Sequence, residues 1–241
     1  GYTDVVDADL SKYFDTIPHD QLMKSIARRV SDGKMLKLIK AWLKTPVEET
    51  DERGNRRMTG GKGSRMGTPQ GGVISPLLAN IYMNRFLRVF LEQGKDREFV
   101  ARLVNYADDF VILSRGKAEP ALAWTRRVMA AIGLTLNETK TCIRNARKEH
   151  FDFLGYTFGP ERYHKDGHWY LAAKPSKKSV QRMKEKVRSH LRPGNQSPWP
   201  VVAKELNRTK TVGTFALGTR QLYDFLDQNS AFEFWPVRYV N

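Results

Sequence analysis

Two adjacent carboxylates, Asp108 and Asp109, lie within a segment that is otherwise apolar: Leu103-Val104-Asn105-Tyr106-Ala107-Asp108-Asp109-Phe110-Val111-Ile112-Leu113. The flanks, residues 99–105 and 109–114, have the β-branched and aromatic content of strands. The acids therefore fall where one strand reverses into the next. Neighbouring carboxylates repel each other, and partial burial raises the cost of ionising both. Two arrangements meet that cost. Asp tolerates turn geometry, so a plain hairpin turn accounts for the pair. A divalent cation would also neutralise it, since Mg²⁺ takes hard oxygen ligands and often only one or two protein carboxylates.

A second strand pattern, residues 2–9, also ends on an acid: Val5-Val6-Asp7-Ala8-Asp9, with Tyr13-Phe14 following. Alternation places Asp7 and Asp9 on one face. Asp7 reads as a surface charge, and Asp9 alone would read as a helix N-cap. If Asp9 and Asp108 lie on neighbouring strands, they can hold two metal ions about 3.5–4 Å apart. That geometry suits in-line attack at phosphorus, with one ion activating a hydroxyl and the other stabilising the leaving oxygen.

The rest of the chain alternates helical and extended patterns. Leu22, Ile26 and Val30, and then Met35, Leu38, Ile39 and Trp42, make two helical stripes, the second stopped before Pro46. Residues 47–59 read as a polar hairpin turning near Gly54-Asn55. Six of the eighteen glycines fall in residues 60–72, a stretch suited to positive φ and close backbone approach but lacking the Walker spacing. Ser75-Pro76 predicts a helix start with Ser75 as N-cap, continued by Leu78, Tyr82, Phe86 and Val89. Leu122, Thr125, Met129 and Ile132 form a further helix closed by Gly133, and residues 151–158 with 168–172 suggest a small hairpin. Ser176 caps a helix with Val180, Met183, Val187 and Leu191 on one face and Lys177, Lys178, Lys184, Lys186 and Arg188 over much of the remainder. The boundary between two domains, 1–172 and 173–241, is expected at this change of pattern.

Charge narrows the partners. The 241 residues carry 41 Lys+Arg and 26 Asp+Glu, a net +15, which attracts polyanions, nucleic acid first among them. Residues 173–241 hold 13 Lys+Arg against 5 Asp+Glu, so the C-terminal part is the more basic by density. Cys142 is the only cysteine, which excludes a disulfide scaffold and most zinc fingers and fits a reducing, cytoplasmic location. His164 and His168 are four apart, but no third ligand stands nearby. Asp4, Asp7, Asp9 and Asp15 exclude a signal peptide at this end, and the longest uncharged run, between Arg65 and Arg85, is too rich in Gly and Pro for a membrane span. The chain opens at Gly1 in mid-strand pattern and reads as a piece of a longer protein. Trp199, Phe215 and Tyr223 could each stack on a base, but read first as buried core.

These residues resemble a known family. Tyr106-Ala107-Asp108-Asp109 looks like the YxDD signature of reverse transcriptases, and Val6-Asp7-Ala8-Asp9-Leu10-Ser11-Lys12-Tyr13-Phe14-Asp15 looks like the acidic motif that precedes it. Gly67-Thr68-Pro69-Gln70-Gly71-Gly72-Val73-Ile74-Ser75-Pro76-Leu77-Leu78-Ala79-Asn80-Ile81 resembles the central motif of the group II intron type. Gly133-Leu134 through Lys140-Thr141 and Phe153-Leu154-Gly155-Tyr156 resemble the next two motifs. The resemblance implies an α+β fold, a palm of antiparallel strands backed by helices and followed by a helical thumb, with the preceding fingers missing. It implies an RNA-directed DNA polymerase acting on an RNA template, a DNA primer and a dNTP with two Mg²⁺, possible contact with intron RNA, and no membrane partner.

Residue by residue, the resemblance assigns Asp9, Asp108, Asp109 and the Leu10 carbonyl to the metals. Phe14 would lie under the nucleotide sugar, Gln70 and Gly71 beside the nucleotide, and Lys140 near the pyrophosphate. Leu154 and Gly155 would grip the primer. Lys177, Lys178, Lys184, Lys186 and Arg188 would follow the nucleic-acid backbone. A non-catalytic RNA-binding maturase, or a truncated remnant, is the alternative reading.

Overall fold

The computed structural model describes residues 1–50, 56–69, 71–163, 167–192 and 194–213. Gln70, the Gly54-Asn55 turn, His164 and the chain beyond Gly213 lie outside the described residues. In chain order the elements are β1 (Asp4–Ala8), α1 (Tyr13–Thr16), α2 (His19–Ala27), α3 (Gly33–Leu43), β2 (Pro46–Thr50), β3 (Arg56–Gly60), α4 (Ser75–Glu92), α5 (Lys95–Glu98), β4 (Ala101–Tyr106) and β5 (Asp109–Ser114). Then follow α6 (Ala118–Ala131), β6 (Cys142–Asn145), β7 (Phe151–Phe153), β8 (Tyr156–Arg162), β9 (Trp169–Pro175), α7 (Lys177–His190) and α8 (Trp199–Gly213). Among the described residues no helix is long and apolar enough to cross a membrane.

Contacts divide the described residues into two compact units, one of residues 6–143 and one of residues 1–5 together with those from 144 to 213. The change of pattern near residue 173 falls within the second unit, because β7, β8 and β9 group with the helices that follow them.

The main sheet has the order β4-β5-β1-β6, with β4 and β5 antiparallel. Val5 and Val6 of β1, and Val111, Ile112 and Leu113 of β5, are fully buried, so the central strands are apolar on both faces. The buried side of α4 (Tyr82, Phe86, Phe90) meets Phe110 of β5 and Trp124 of α6, and the Phe86 ring lies 5.2 Å from Phe110 and 5.7 Å from Trp124. Tyr82, buried in this layer, donates its hydroxyl to the Ile132 carbonyl, so its polar end is satisfied.

Ser75 does not cap α4. Ile74 occupies the cap position, and Ser75 Oγ donates instead to Pro69 O at 2.6 Å. The glycine loop folds back on itself there, with Gly72 N on Pro69 O at 3.1 Å and Ser75 N on Gly72 O at 3.0 Å. The serine therefore closes the loop rather than starting the helix.

In the second unit, residues 151–158 do not form a single strand. They turn at Leu154 (φ +49) and Gly155 (φ +82), giving a three-stranded antiparallel sheet of order β7-β8-β9. Ser176 caps α7 as expected, accepting from Ser179 N at 3.3 Å. Trp199 is 66% exposed and is not core.

Candidate active site

Asp9 follows directly on β1, and residues 137–141 wrap its main chain. Asn137 N donates to Asp9 O at 2.8 Å, and Asp9 N donates to Thr141 Oγ1 at 3.5 Å. The same turn supplies the side-chain partners. Asn137 Nδ2 donates to Asp9 Oδ2 at 3.1 Å, and Lys140 Nζ lies 3.3 Å from that oxygen. Asn137 is itself fixed, because its Oδ1 accepts from Thr139 N at 3.2 Å and from Thr139 Oγ1 at 2.7 Å. The carboxylate of Asp9 is thus held by a frame that is in turn held.

The β4–β5 reversal carries the other two acids. Tyr106 and Asp109 are the last strand pair, so Ala107 and Asp108 make the turn between them. Ala107 has φ +54, a left-handed conformation that costs a non-glycine residue roughly 1–2 kcal/mol. Asn105 Nδ2 braces it by donating to Ala107 O at 3.0 Å and to Asp109 O at 3.3 Å. Backbone strain compensated by a side-chain brace is common where a functional group must be aimed.

β5 lies beside β1 in the sheet, and the electrostatics show that their acids share a neighbourhood. Burial pushes the Asp109 carboxyl above the ordinary carboxylate range, Asp108 and Asp9 push it further, and Lys140 opposes them. Asp108 reaches Tyr13 as well. That phenol is pushed up chiefly by burial, with Tyr82 and Asp108 adding to the rise, while its hydroxyl donates to Ala79 O at 2.6 Å.

Among the described residues no group of three His, Cys, Asp or Glu side chains is gathered tightly enough to hold a metal ion alone. The donor chemistry nevertheless fits Mg²⁺: hard oxygens, mutually repelling carboxylates and an ammonium as partial neutraliser. Mg²⁺ keeps several waters and usually combines one or two carboxylates with substrate phosphates rather than filling a protein cage. Asp9, Asp108 and Asp109 are the residues that would hold it. Leu10, just past β1, is buried and forms an isolated antiparallel bridge with Leu136.

The glycine loop is clamped onto the segment bearing Phe14. Thr68 N donates to Phe14 O at 2.7 Å, Gly67 N to Ile17 O at 2.9 Å, and His19 Nε2 to Gly67 O at 2.6 Å. Gly67 has φ +89, and a Cβ there would stand 3.1 Å from Asp15 O, so only glycine allows this approach. Phe14 is half-buried, with its ring edge-on to Tyr13 at 5.6 Å. A Cβ at Gly71 would meet open space.

Leu154, Gly155 and the five cations belong to the second unit. Gly155 O accepts from Ser176 N at 2.9 Å and from Ser179 Oγ at 2.8 Å, which ties the β7–β8 turn to the first turn of α7. Lys177, Lys178, Lys184, Lys186 and Arg188 are all exposed along α7. Asn105, Asn137 and Thr141 complete the acidic site, and sequence reasoning did not single them out. For Asn137 and Thr141 the signal was position, since both lie in the segment that carries Lys140.

Residues 1–158 match the family described as reverse transcriptase (RNA-dependent DNA polymerase). Protein YkfC of Escherichia coli is 32% identical over 183 residues, covering 63% of this chain and 46% of that protein. The group II intron-encoded protein LtrA of Lactococcus lactis is 36% identical over 100 residues, covering 41% of this chain and 15% of that protein. A putative COX1/OXI3 intron 1 protein of Saccharomyces cerevisiae is 27% identical over 201 residues, covering 63% of this chain and 23% of that protein. The chain thus spans less than half the length of these relatives. Among solved structures, apo telomerase from Candida tropicalis shares the fold, with a TM-score of 0.55 at 14% identity over 95% of this chain and 44% of that one. With five motifs in order, acids at the ends of the adjoining strands β1 and β5 and a match over most of its length, the chain belongs to the reverse transcriptase family.

Proposed function

We propose that this chain is the palm and part of the thumb of a group II intron-type RNA-directed DNA polymerase. The observation that supports this most directly is geometric: Asp9 directly follows β1, Asp108 and Asp109 stand at the start of the neighbouring β5, and Lys140 Nζ lies 3.3 Å from Asp9 Oδ2. Bound Mg²⁺ would supply Lewis acidity at the α-phosphorus and neutralise the charge that develops there. The carboxylates of Asp9 and Asp108 would hold the ions, with Asp109 alongside and the Leu10 carbonyl as a further oxygen. Asn137 and Asn105 would keep the two strand ends in position.

Lys140 would leave Asp9 as the ions bind and donate a proton to the departing pyrophosphate oxygen. Phe14, pinned through its carbonyl to Thr68, would lie under the sugar and exclude a 2′-hydroxyl. Gln70 and Gly71 would border the nucleotide, and the open space over Gly71 supports that place for it. Leu154 and Gly155 would hold the primer strand. The α7 cations would bind template and primer phosphates without reading sequence.

Primer extension on poly(rA)/oligo(dT) with Mg²⁺ tests this reading. The assay is run on the chain itself and on a fusion carrying a relative's fingers segment. Extension by the fusion that disappears in Asp108→Ala is the expected result, and extension that survives the substitution rejects the metal assignment. Silence of the unsubstituted fusion with RNA binding retained supports the non-catalytic maturase reading instead, which the exposed α7 cations also accommodate.

A further inference from the structure

The sheet β7-β8-β9 has two ends. The Leu154–Gly155 turn closes one. Trp169 lies near the other, paired with Arg162 at the far end of β8, about 20 Å away at roughly 3.3 Å per residue. β9 is an edge strand, and on it Trp169 is 69% exposed and Tyr170 42% exposed. A cavity of about 680 Å³ opens beside them, with Tyr2, Arg147 and Lys148 also in its wall. That volume lies within the range of roughly 300–1,000 Å³ typical of ligand sites.

The cations in this wall stand on a built turn. Asn145 Oδ1 accepts from Arg147 N at 3.0 Å, and Asn145 O accepts from Lys148 N at 2.9 Å. Asn145 Nδ2 donates to Asp4 Oδ1 at 2.9 Å, and Ala146 N donates to Thr3 O at 2.8 Å, so the turn is tied to the segment bearing Tyr2. On β9, Tyr170 packs with Tyr163 and His168, ring centroids 5.4–6.4 Å apart, which stiffens the strand that presents Trp169.

An exposed indole beside two cations carried on a braced turn matches one ligand chemistry. An unpaired base offers a π face to stack on an aromatic ring, and its phosphate offers charge to Arg and Lys. A duplex offers the phosphates but no free base face. We propose that this cavity is a stacking site for single-stranded nucleic acid. None of Asp9, Asp108, Asp109 or Lys140 lines it, and it does not require the polymerase reading to hold.

The test is fluorescence anisotropy of labelled oligo(rU) and of a duplex of equal length on the whole chain. Trp169→Ala is expected to weaken oligo(rU) binding by about 5- to 150-fold, the range for losing one stacked base, while duplex binding changes little. Trp169→Phe, which keeps a stacking face, should restore most of the loss. The double variant Arg147→Gln/Lys148→Gln should flatten the slope of log K against log salt by about 1.4, at roughly 0.7 per phosphate contact on a single strand. Equal losses for strand and duplex, or no loss in Trp169→Ala, would overturn the proposal, as would equal loss in the Ala and Phe variants. The oligo(rU) titration contains neither dNTP nor divalent cation, so failure of the catalytic reading, seen only in primer extension, and failure of this one are read independently. Lengthening the unpaired template overhang of a primer–template tightens binding if the template supplies the strand, and leaves it unchanged if a separate RNA does.

Discussion

Asp109 begins β5 with two other carboxylates in its field, and its pKa is raised by burial first, then by Asp108 and Asp9. A carboxyl whose folded pKa lies above its unfolded value contributes stability below the unfolded pKa and loses it as pH rises through the folded one. Asp109→Asn removes that loss. Without divalent cations, the variant should melt above the parent at neutral pH, and the gain should fade as the buffer falls below about 4. The gain should be a fraction of a kcal/mol, because Asp109 is desolvated only in part: the residue stays exposed on one side and is screened there. Melting curves across pH decide it, and a variant no more stable than the parent at pH 7 refutes the repulsion. Asn137→Ala should act in the opposite sense. It removes a donor to Asp9 Oδ2 and the acceptor that fixes Thr139, at a cost of about 1 kcal/mol in urea unfolding. If the polymerase reading holds, Phe14→Ala should raise the rNTP/dNTP incorporation ratio, and an unchanged ratio defeats its role as the sugar gate.

At the scale of elements, the β7–β8 turn and α7 form one joint. Gly155 has φ +82, and a Cβ there would stand 2.8 Å from Ser179 Oγ, the hydroxyl that donates to Gly155 O. Gly155→Ala therefore meets both a disfavoured backbone and a displaced hydrogen bond. It should destabilise the chain by about 1–2 kcal/mol, whereas Ser179→Ala should lose only the bond, about 1 kcal/mol. Urea midpoints that rank the two in the reverse order would contradict this account. This joint also shows where the sequence is opaque. Leu154 in a left-handed turn runs against its propensity, so residues 151–158 read as one strand when they are two. Ser75 misled because Ser-Pro is a common helix start, and only the folded glycine loop shows its hydroxyl turned to Pro69. Asn105 and Asn137 look like ordinary turn residues until their partners are in place. By contrast, α2, α4, α6, β4 and β5 were legible, because apolar periodicity is local and their buried faces follow it. The acids on neighbouring β1 and β5 drew notice for another reason: carboxylates beside apolar strands need compensation that their immediate neighbours in sequence do not supply, and Lys140 and Asn137 supply part of it for Asp9 from a distant segment.

For the whole molecule, the +15 charge is a property of association rather than of fold. Its densest part, residues 173–241, includes α7, where Lys177, Lys178, Lys184, Lys186 and Arg188 are exposed and Val180, Met183 and Leu191 stay partly open as well. A helix with no buried residue gains little from packing, so its charges change at small cost to stability. That separates binding from folding. If α7 lies along a nucleic-acid duplex, each phosphate contact releases condensed counterions, and log K falls with log salt by about 0.9 per contact on B-DNA. Lys184→Gln/Lys186→Gln/Arg188→Gln should then lower the slope for a duplex by up to about 2.7, with the melting temperature nearly unchanged. The loss should be the same for duplexes of different sequence, since phosphates carry no sequence information. Titrations of two unrelated duplexes at several salt concentrations measure both effects. An unchanged slope would make the α7 charges a solvated surface and shift the nucleic-acid contact elsewhere. A sequence-dependent loss would mean that these side chains reach base edges, which long flexible cations on one exposed helix face are poorly built to do.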